Sequence, residues 1–495
     1  TGKYHPLTLL SYTAEYHFFG LDPHIYHLDN ILLHLLNCLL VFAVVRRLAN
    51  DSEVALISMA LFAIHPLHVE PVAWITARKD LLAAFFSLLR MLYYLKYLQD
   101  INRRGRYFPL VVIFFVAALF SKVTAVTLPL VFLLFDYFHH KEFRFSYILR
   151  KGPLFVLSLI VAGVSAFLAK SVGAFPASHF YNFPERIFLS CSALNTYVLK
   201  FLFPFSLSAF YPLPKSVELF SWIPLVTAII LGVVFWRSHR KVKLPWLGLI
   251  FFLLTILPTL HLWEVNDSLT YDRFMYLPIF GLAVVAAYFI KNVLASKQYR
   301  ALAAISLAFY FITFLYLSTT QCLVWRDSRT LWDDVIRKYP TCALAHHNLG
   351  VYYNEQNNLP EAFSLFEKTI QLEPKYATAY FNKGNILAKW KKYYEAVGAY
   401  SKAMDVDPKY TAPLNNRGNM YFLLGEYPKA LSDYNRSIER QPRDINTYKN
   451  RGMLFFVTGD YQKSLADFEA VLSLDPSDSL ARQKKTELEN KISAQ

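Results

Sequence analysis

Charge is what this sequence has least of for its size. Charged residues make up 18% of its 495 positions, while 55% are hydrophobic and 17% aromatic. That balance is too apolar for an ordinary soluble protein of this length. Cysteine is nearly absent: Cys38, Cys191, Cys322 and Cys342 have no metal-binding or redox spacing and imply no disulfide framework. The chain opens TGKYHPLTLL, with neither a methionine nor a charged-then-apolar leader, so the true N-terminus is expected upstream. Acidic residues are short in the first 330 positions, with 16 Asp and Glu against 29 Lys and Arg, whereas 20 stand against 22 beyond. The net charge of +15 does not point to nucleic acid. The cations sit between long apolar runs, as they do when membrane proteins gather them in cytoplasmic loops.

Those apolar runs predict spans near residues 26–48, 54–66, 80–98, 107–121, 123–138, 152–170, 220–236, 244–262, 277–291 and 301–322. Placing Arg46 and Arg47 in the cytoplasm makes alternate loops cytoplasmic, and these hold Arg103, Arg104, Lys141, Arg144, Arg237, Arg240, Lys241, Lys291 and Lys297. Residues 187–203 fit neither a crossing nor a loop, and a re-entrant or interfacial helix resolves the parity. Ten crossings then put three polar regions on one non-cytoplasmic face: HPLHVEPVAWITARKD (His65 to Asp80), the TYDRFMYLP loop, and everything past residue 322.

Beyond residue 343 the pattern changes. Gly350, Gly384, Gly418 and Gly452 recur every 34 residues, and so do Pro374, Pro408, Pro442 and Pro476. This is the tetratricopeptide period of paired helices. Ala362, Ala396 and Ala430 fall in register and Ser464 breaks the series, while Trp332, Val335 and Pro340 match half a repeat one period earlier. ARQKKTELEN reads as a polar capping helix. The domains expected are therefore a remainder of the first outer loop (1–25), a polytopic membrane domain (26–322), a half repeat and junction (323–342), four repeats (343–478) and a cap (479–495). Asn348, Asn382, Asn416 and Asn450 also recur in register. Stacked, they form a ladder able to bind the backbone of an acceptor peptide, although asparagine at this place also serves local bonding.

In the membrane half, His65, His68 and Glu70 are of the right types to gather a divalent cation or share a proton. Histidines at an interface also bond headgroups or backbone. Arg78 and Arg273 are candidates for holding a phosphate, with salt bridges to Asp80 and Asp272 as the simpler alternatives. Arg90 lies within a span, where a cation is costly and often functional. Lys122, Lys170 and Lys200 stand near the outer surface, and together these cations suit an anionic lipid headgroup.

The runs KYHPLTLLSYTAEYHFFGLDPHIYHLDNILLH, FAIHPLHVEPVAWITARKDLLAAFF, SKVTAVTLPLVFLLFDYF and YDRFMYLP, followed by these repeats, resemble the transmembrane and tetratricopeptide-repeat-containing proteins and their prokaryotic relatives. That family is similar in architecture to the C-type glycosyltransferases. The resemblance implies an all-α fold, a polytopic helical membrane domain followed by an α-solenoid. It also implies transfer of mannose or another hexose from a polyprenyl- or dolichyl-phosphate sugar to protein hydroxyls outside the cytoplasm. Such enzymes carry an acid in the first outer loop, so the resemblance places the main catalytic acid upstream of Thr1.

The sequence reading is then a lipid-linked-sugar transferase. Glu70, His68 and His65 line its reaction cavity, Arg78, Arg273 and Arg90 meet the donor phosphate, and the asparagine ladder takes acceptor proteins. No cofactor is fixed beyond a possible divalent cation. Membrane lipids and acceptor proteins are the expected partners. The site would be a bacterial or archaeal plasma membrane, or the endoplasmic reticulum membrane with the repeats in the lumen. The alternative is a non-catalytic membrane scaffold that uses the repeats for protein interaction. A transporter is disfavoured because the membrane half shows no internal symmetry.

Overall fold

A computed structural model describes residues 5–140, 142, 144–171, 181–214, 243–262 and 267–493. The described residues are almost entirely helical and form two compact units, Thr1–Asp334 and Val335–Gln495.

The first unit begins with α1 (Pro6–Phe19), α2 (Pro23–Ala49) and α3 (Ser52–Ile64). Proline starts α1 and α2, where its missing N–H costs nothing, and Asp51 caps α3 by accepting from the backbone N–H groups of Glu53 and Val54. A bent connector carries α4 (Val69–Ala73) and leads into α5 (Arg78–Gln99), α6 (Arg104–Ser121) and α7 (Leu128–His140). After α8 (Phe145–Arg150) and α9 (Gly152–Ser171) come α10 (Phe183–Leu202), α11 (Lys243–Ile256), α12 (Ile279–Ala295), α13 (Arg300–Val324) and α14 (Ser328–Lys338).

Among the described residues, five segments are long and apolar enough to cross a membrane: Pro23–Ala49, Ile75–Gln99, Arg104–Ser121, Val123–His140 and Arg300–Val324. The segments Ser52–Ile64 and Pro66–Ala73 meet at a 55° bend. Gly152–Leu168, Lys243–Thr259 and Ile279–Ala295 are shorter apolar helices. The expected span at 220–236 lies outside the described residues, as do Lys141, Arg237, Arg240 and Lys241. At residues 187–203 the structure has an amphipathic helix, α10. It buries Phe188, Leu189, Ala193, Tyr197 and Phe201 and exposes Phe183, Leu199 and Leu202. The sequence read residues 1–25 as loop, yet α1 is a helix, and it is anchored by Thr8 to the Ser121 carbonyl and by Tyr12 to the Ile75 carbonyl.

The core of this unit joins α2, α3, α5, α6, α7, α10, α11 and α12. Where α11 crosses α12, Gly248 and Gly281 face each other. A Cβ on Gly281 would lie 2.2 Å from the Gly248 carbonyl oxygen and 2.9 Å from the Phe252 backbone nitrogen, so only glycine permits this approach.

The second unit is a helical solenoid of tetratricopeptide repeats. Its helix pairs are α15 (Ala343–Glu355) with α16 (Leu359–Leu372), α17 (Ala377–Lys389) with α18 (Tyr393–Val406), α19 (Ala412–Leu423) with α20 (Tyr427–Arg440), and α21 (Ile445–Val457) with α22 (Tyr461–Leu474), closed by α23 (Ser479–Ser493). The periodic glycines meet Phe366, Tyr400, Tyr434 and Phe468 from the second helix of each pair. Ser464, which departs from the alanine register, is buried and donates to the Gly452 carbonyl at 2.8 Å, so its hydroxyl is satisfied. The turn between paired helices is left-handed at Asn357, Lys391, Gly425 and Gly459, again 34 residues apart.

Candidate active site

The connector between α3 and α5 turns at His65 and Pro66, and its histidines serve that turn. The His65 Nδ1 accepts from the Leu67 backbone N–H at 3.2 Å, while its Nε2 donates to the Phe201 carbonyl at 3.0 Å. His68 donates through Nδ1 to the Phe62 carbonyl at 2.6 Å and packs against Phe62, His34 and Tyr276. Both rings are buried, His65 at 1% and His68 at 3% exposure. Among the described residues neither histidine bonds Glu70, and no three His, Cys, Asp or Glu side chains are placed to hold a metal ion. The sequence grouping of His65, His68 and Glu70 as one catalytic or metal-binding set is therefore corrected. The histidines belong to the core and Glu70 faces a different partner.

That partner is Arg273, 203 positions away. One Glu70 oxygen accepts from the Arg273 backbone N–H at 2.9 Å and the other from its Nη1 at 2.5 Å. Arg273 also stacks over Tyr271 at 3.8 Å and Trp74 at 5.0 Å. The Glu70 carboxylate is buried, with Arg273 as its ion-pair partner. The two polar loops singled out in the sequence thus meet through one buried ion pair.

Arg78 is wholly occupied. It donates to Asn30 at 2.9 Å and to the Tyr26 carbonyl at 2.9 Å, and it pairs with Glu15 of α1. Its predicted salt bridge to Asp80 is replaced by this knot, because Asp80 pairs instead with Lys122. Likewise Asp272 receives the Tyr211 hydroxyl at 2.9 Å and lies 3.8 Å from Lys200, while Arg273 turns to Glu70. Arg90 lies between two rings, 3.6 Å from the Phe132 centroid and 3.8 Å from that of Phe115, and is completely buried. Its three guanidinium nitrogens have no hydrogen-bond partner and are fully enclosed, so they present no atom to a headgroup, which corrects its reading as a phosphate ligand.

Asp80, Lys122 and Arg273 line one cavity, together with Thr124, Thr255 and Thr259. The sequence reading passed over Asp80 as a ligand group. The usable signal was that a buried acid at a helix start needs a partner, and Lys122 was available near the same surface.

In the repeats, the asparagines bond along the array. Asn382 meets His347 at 3.2 Å, Asn416 donates to Asn385 at 2.9 Å, and Asn450 donates to Asn415 at 2.9 Å. Asn348 lies 3.3 Å from the Nδ1 of its neighbour His347. One row further, Arg417 and Arg451 clamp Asp433 and Asp467 with paired bonds of 2.7 to 2.9 Å. Asn435, which heads a sequon, accepts from Arg451 at 2.7 Å, and Ser437 is buried, so this sequon is closed in the folded helix.

Residues 25–169 match the sequence model of the dolichyl-phosphate-mannose-protein mannosyltransferases. Residues 325–377, 377–410, 412–444 and 445–478 match tetratricopeptide repeats. The chain is 26% identical over 430 residues to the human protein named protein O-mannosyl-transferase TMTC4, covering 74% of this chain and 57% of that one. It is 25% identical to the Caenorhabditis elegans protein O-mannosyl-transferase F38B6.6, covering 70% and 50%. A shorter stretch, 26% of this chain and 14% of its relative, is 38% identical to Drosophila melanogaster protein O-mannosyl-transferase Tmtc1. The chain spans about half the length of the first two relatives. The chain thus joins a segment similar to the dolichyl-phosphate-mannose-protein mannosyltransferases to tetratricopeptide repeats, and it is similar in sequence to the transmembrane and tetratricopeptide-repeat-containing proteins.

Proposed function

We propose that this protein is a membrane glycosyltransferase that moves mannose, or a similar hexose, from a dolichyl- or polyprenyl-phosphate donor to hydroxyl groups of proteins outside the cytoplasm. Its repeats would hold the acceptor, and its home would be the endoplasmic reticulum membrane or its prokaryotic equivalent. The observation that carries the reading is the junction of the two polar loops at Glu70 and Arg273, beside a cavity that also contains Asp80 and Lys122. The relatives' names agree in chemical class.

In this reading the acceptor O–H gives its proton to a carboxylate as its oxygen bonds the anomeric carbon. The bond from that carbon to the lipid phosphate breaks, and the departing phosphate carries the charge away. Arg273 and Lys122 are the cations placed to stabilise that charge. Glu70 aims Arg273 through two bonds, and Arg78 fixes the connector on which Glu70 stands. The asparagine row retains unused amide capacity beside its inter-repeat bonds, which is what backbone recognition of an extended acceptor requires.

The test is transfer by full-length protein in nanodiscs, supplied with dolichyl-phosphate mannose and an acceptor protein and read by mass spectrometry. Transfer by the unaltered protein is expected, with a ~100 to 1,000-fold loss in Arg273→Ala. No transfer by the unaltered protein, or near-normal transfer by a folded Arg273→Ala, would sink the proposal.

A further inference from the structure

The cavity beside Arg273 contains a carboxylate with spare capacity. Asp80 is buried and pairs one oxygen, Oδ1, with Lys122, while its other oxygen, Oδ2, is enclosed with no hydrogen-bond partner. An ionised carboxylate only accepts hydrogen bonds, and leaving a buried acceptor unmet costs roughly 1–3 kcal/mol. Two hydroxyls on the same cavity wall have already used their protons. Thr255 donates to the Phe251 carbonyl at 2.8 Å and Thr259 to the Ile256 carbonyl at 2.7 Å, so their oxygens too remain as acceptors.

The space these acceptors border is about 30 Å³, room for one or two hydroxyl groups and not for a sugar ring, and it asks for groups that donate hydrogen bonds. A phosphate is wrong for it, being rich in acceptors and repelled by the carboxylate. A polyol is right, because each hydroxyl brings its own proton. The cations that suit a phosphate, Lys122 and Arg273, line the same cavity. We infer that Asp80, with Thr255 and Thr259, receives one or two hydroxyls of the donor's sugar and so decides whether the sugar-bearing lipid is distinguished from the bare lipid phosphate. This rests on the transferase reading above and adds to it a specificity-determining residue. Asp80 is a binding residue here, and no proton transfer is assigned to it.

The experiment compares two probes, dolichyl-phosphate mannose and dolichyl phosphate, by equilibrium binding to full-length protein in nanodiscs. Unaltered protein should prefer the mannosyl lipid. In Asp80→Asn that preference should fall about tenfold, the worth of roughly one charge-assisted bond, with affinity for dolichyl phosphate changed no more than about threefold. Parallel loss of both probes would mean that Asp80 merely holds Lys122, and an unchanged ratio would mean that it does not face the sugar; either overturns the inference. The double variant Thr255→Val/Thr259→Val leaves the Asp80–Lys122 pair intact and should lower the ratio about fivefold. It decides the matter if Asp80→Asn does not accumulate, an unchanged ratio again overturning the inference. Unaltered protein that transfers mannose while both variants keep its preference defeats only this inference. Absence of both transfer and preference in the unaltered protein defeats the transferase reading itself.

Discussion

The two units use polar groups in opposite ways. In the repeats, side-chain bonds recur at fixed separations: Arg417 and Arg451 each reach Asp partners 16 positions on, and the asparagine row reaches back 31 to 35 positions. In the membrane unit the buried ion pairs join residues at unrelated distances, 203 positions for Glu70 with Arg273, 63 for Arg78 with Glu15, and 42 for Asp80 with Lys122, while Arg90 is enclosed by rings with no hydrogen-bond partner. A periodic bond is duplicated, so losing one leaves its neighbours in place. A singular bond has no second copy, and a buried charge that loses it stays uncompensated.

The sharpest way to break this contrast is Arg273→Ala. It strands Glu70, and thermal unfolding of the purified full-length protein should report a loss of about 3–5 kcal/mol. The double variant Glu70→Gln/Arg273→Met removes both charges and should recover most of the stability without recovering sugar transfer. If the single variant unfolds like the unaltered protein, the pair is not the brace described here.

Glycine gives a second, smaller test. Alanine at Gly281 meets backbone atoms of α11 that cannot yield separately, whereas alanine at Gly418 meets the ring edge of Tyr434 at 2.6 Å, and a ring can tilt. Overpacking should therefore cost about 3 kcal/mol at Gly281 and about 1 kcal/mol at Gly418. Equal shifts in the two unfolding midpoints would erase the distinction.

The same division decided what could be read from the sequence. The repeat register, the five longest apolar helical segments among the described residues and the asparagine row were legible because each rests on a period or a run. The asparagines' partners were legible in principle, since Asn385 and Asn415 lie close to one period from Asn416 and Asn450. Nothing periodic marks Arg273 as the partner of Glu70. The role of Arg78 was hidden because Glu15 lies in α1, whose apolar residues read as loop beside longer spans. Arg90 was correctly placed inside a span, but the rings that enclose it come from two other helices, Phe115 of α6 and Phe132 of α7.

The smallest expected effect concerns the turn inside each repeat. Its left-handed position holds glycine in the last two repeats but Lys391 in the second, at φ 62°. Lys391→Gly should stabilise the protein by about 0.5–1 kcal/mol, the relief of the side chain exceeding the added freedom of the unfolded chain. A lower unfolding midpoint would show that the lysine contributes something the turn geometry does not explain.

The anchoring of α1 has a consequence in time. Its polar attachments, Tyr12 to Ile75, Glu15 to Arg78 and Thr8 to Ser121, go to residues that follow them in the chain by 63, 63 and 113 positions. At ordinary rates of synthesis those partners emerge from the ribosome about 3 to 20 s after α1 itself. Throughout that interval Leu9, Leu10, Phe18 and Phe19, which stay exposed even when the helix is docked, have no finished protein surface beside them. A nascent chain stalled before Arg78 would therefore present α1 as an unlatched apolar helix, so the segment's docking is a late event of assembly even though its residues come early.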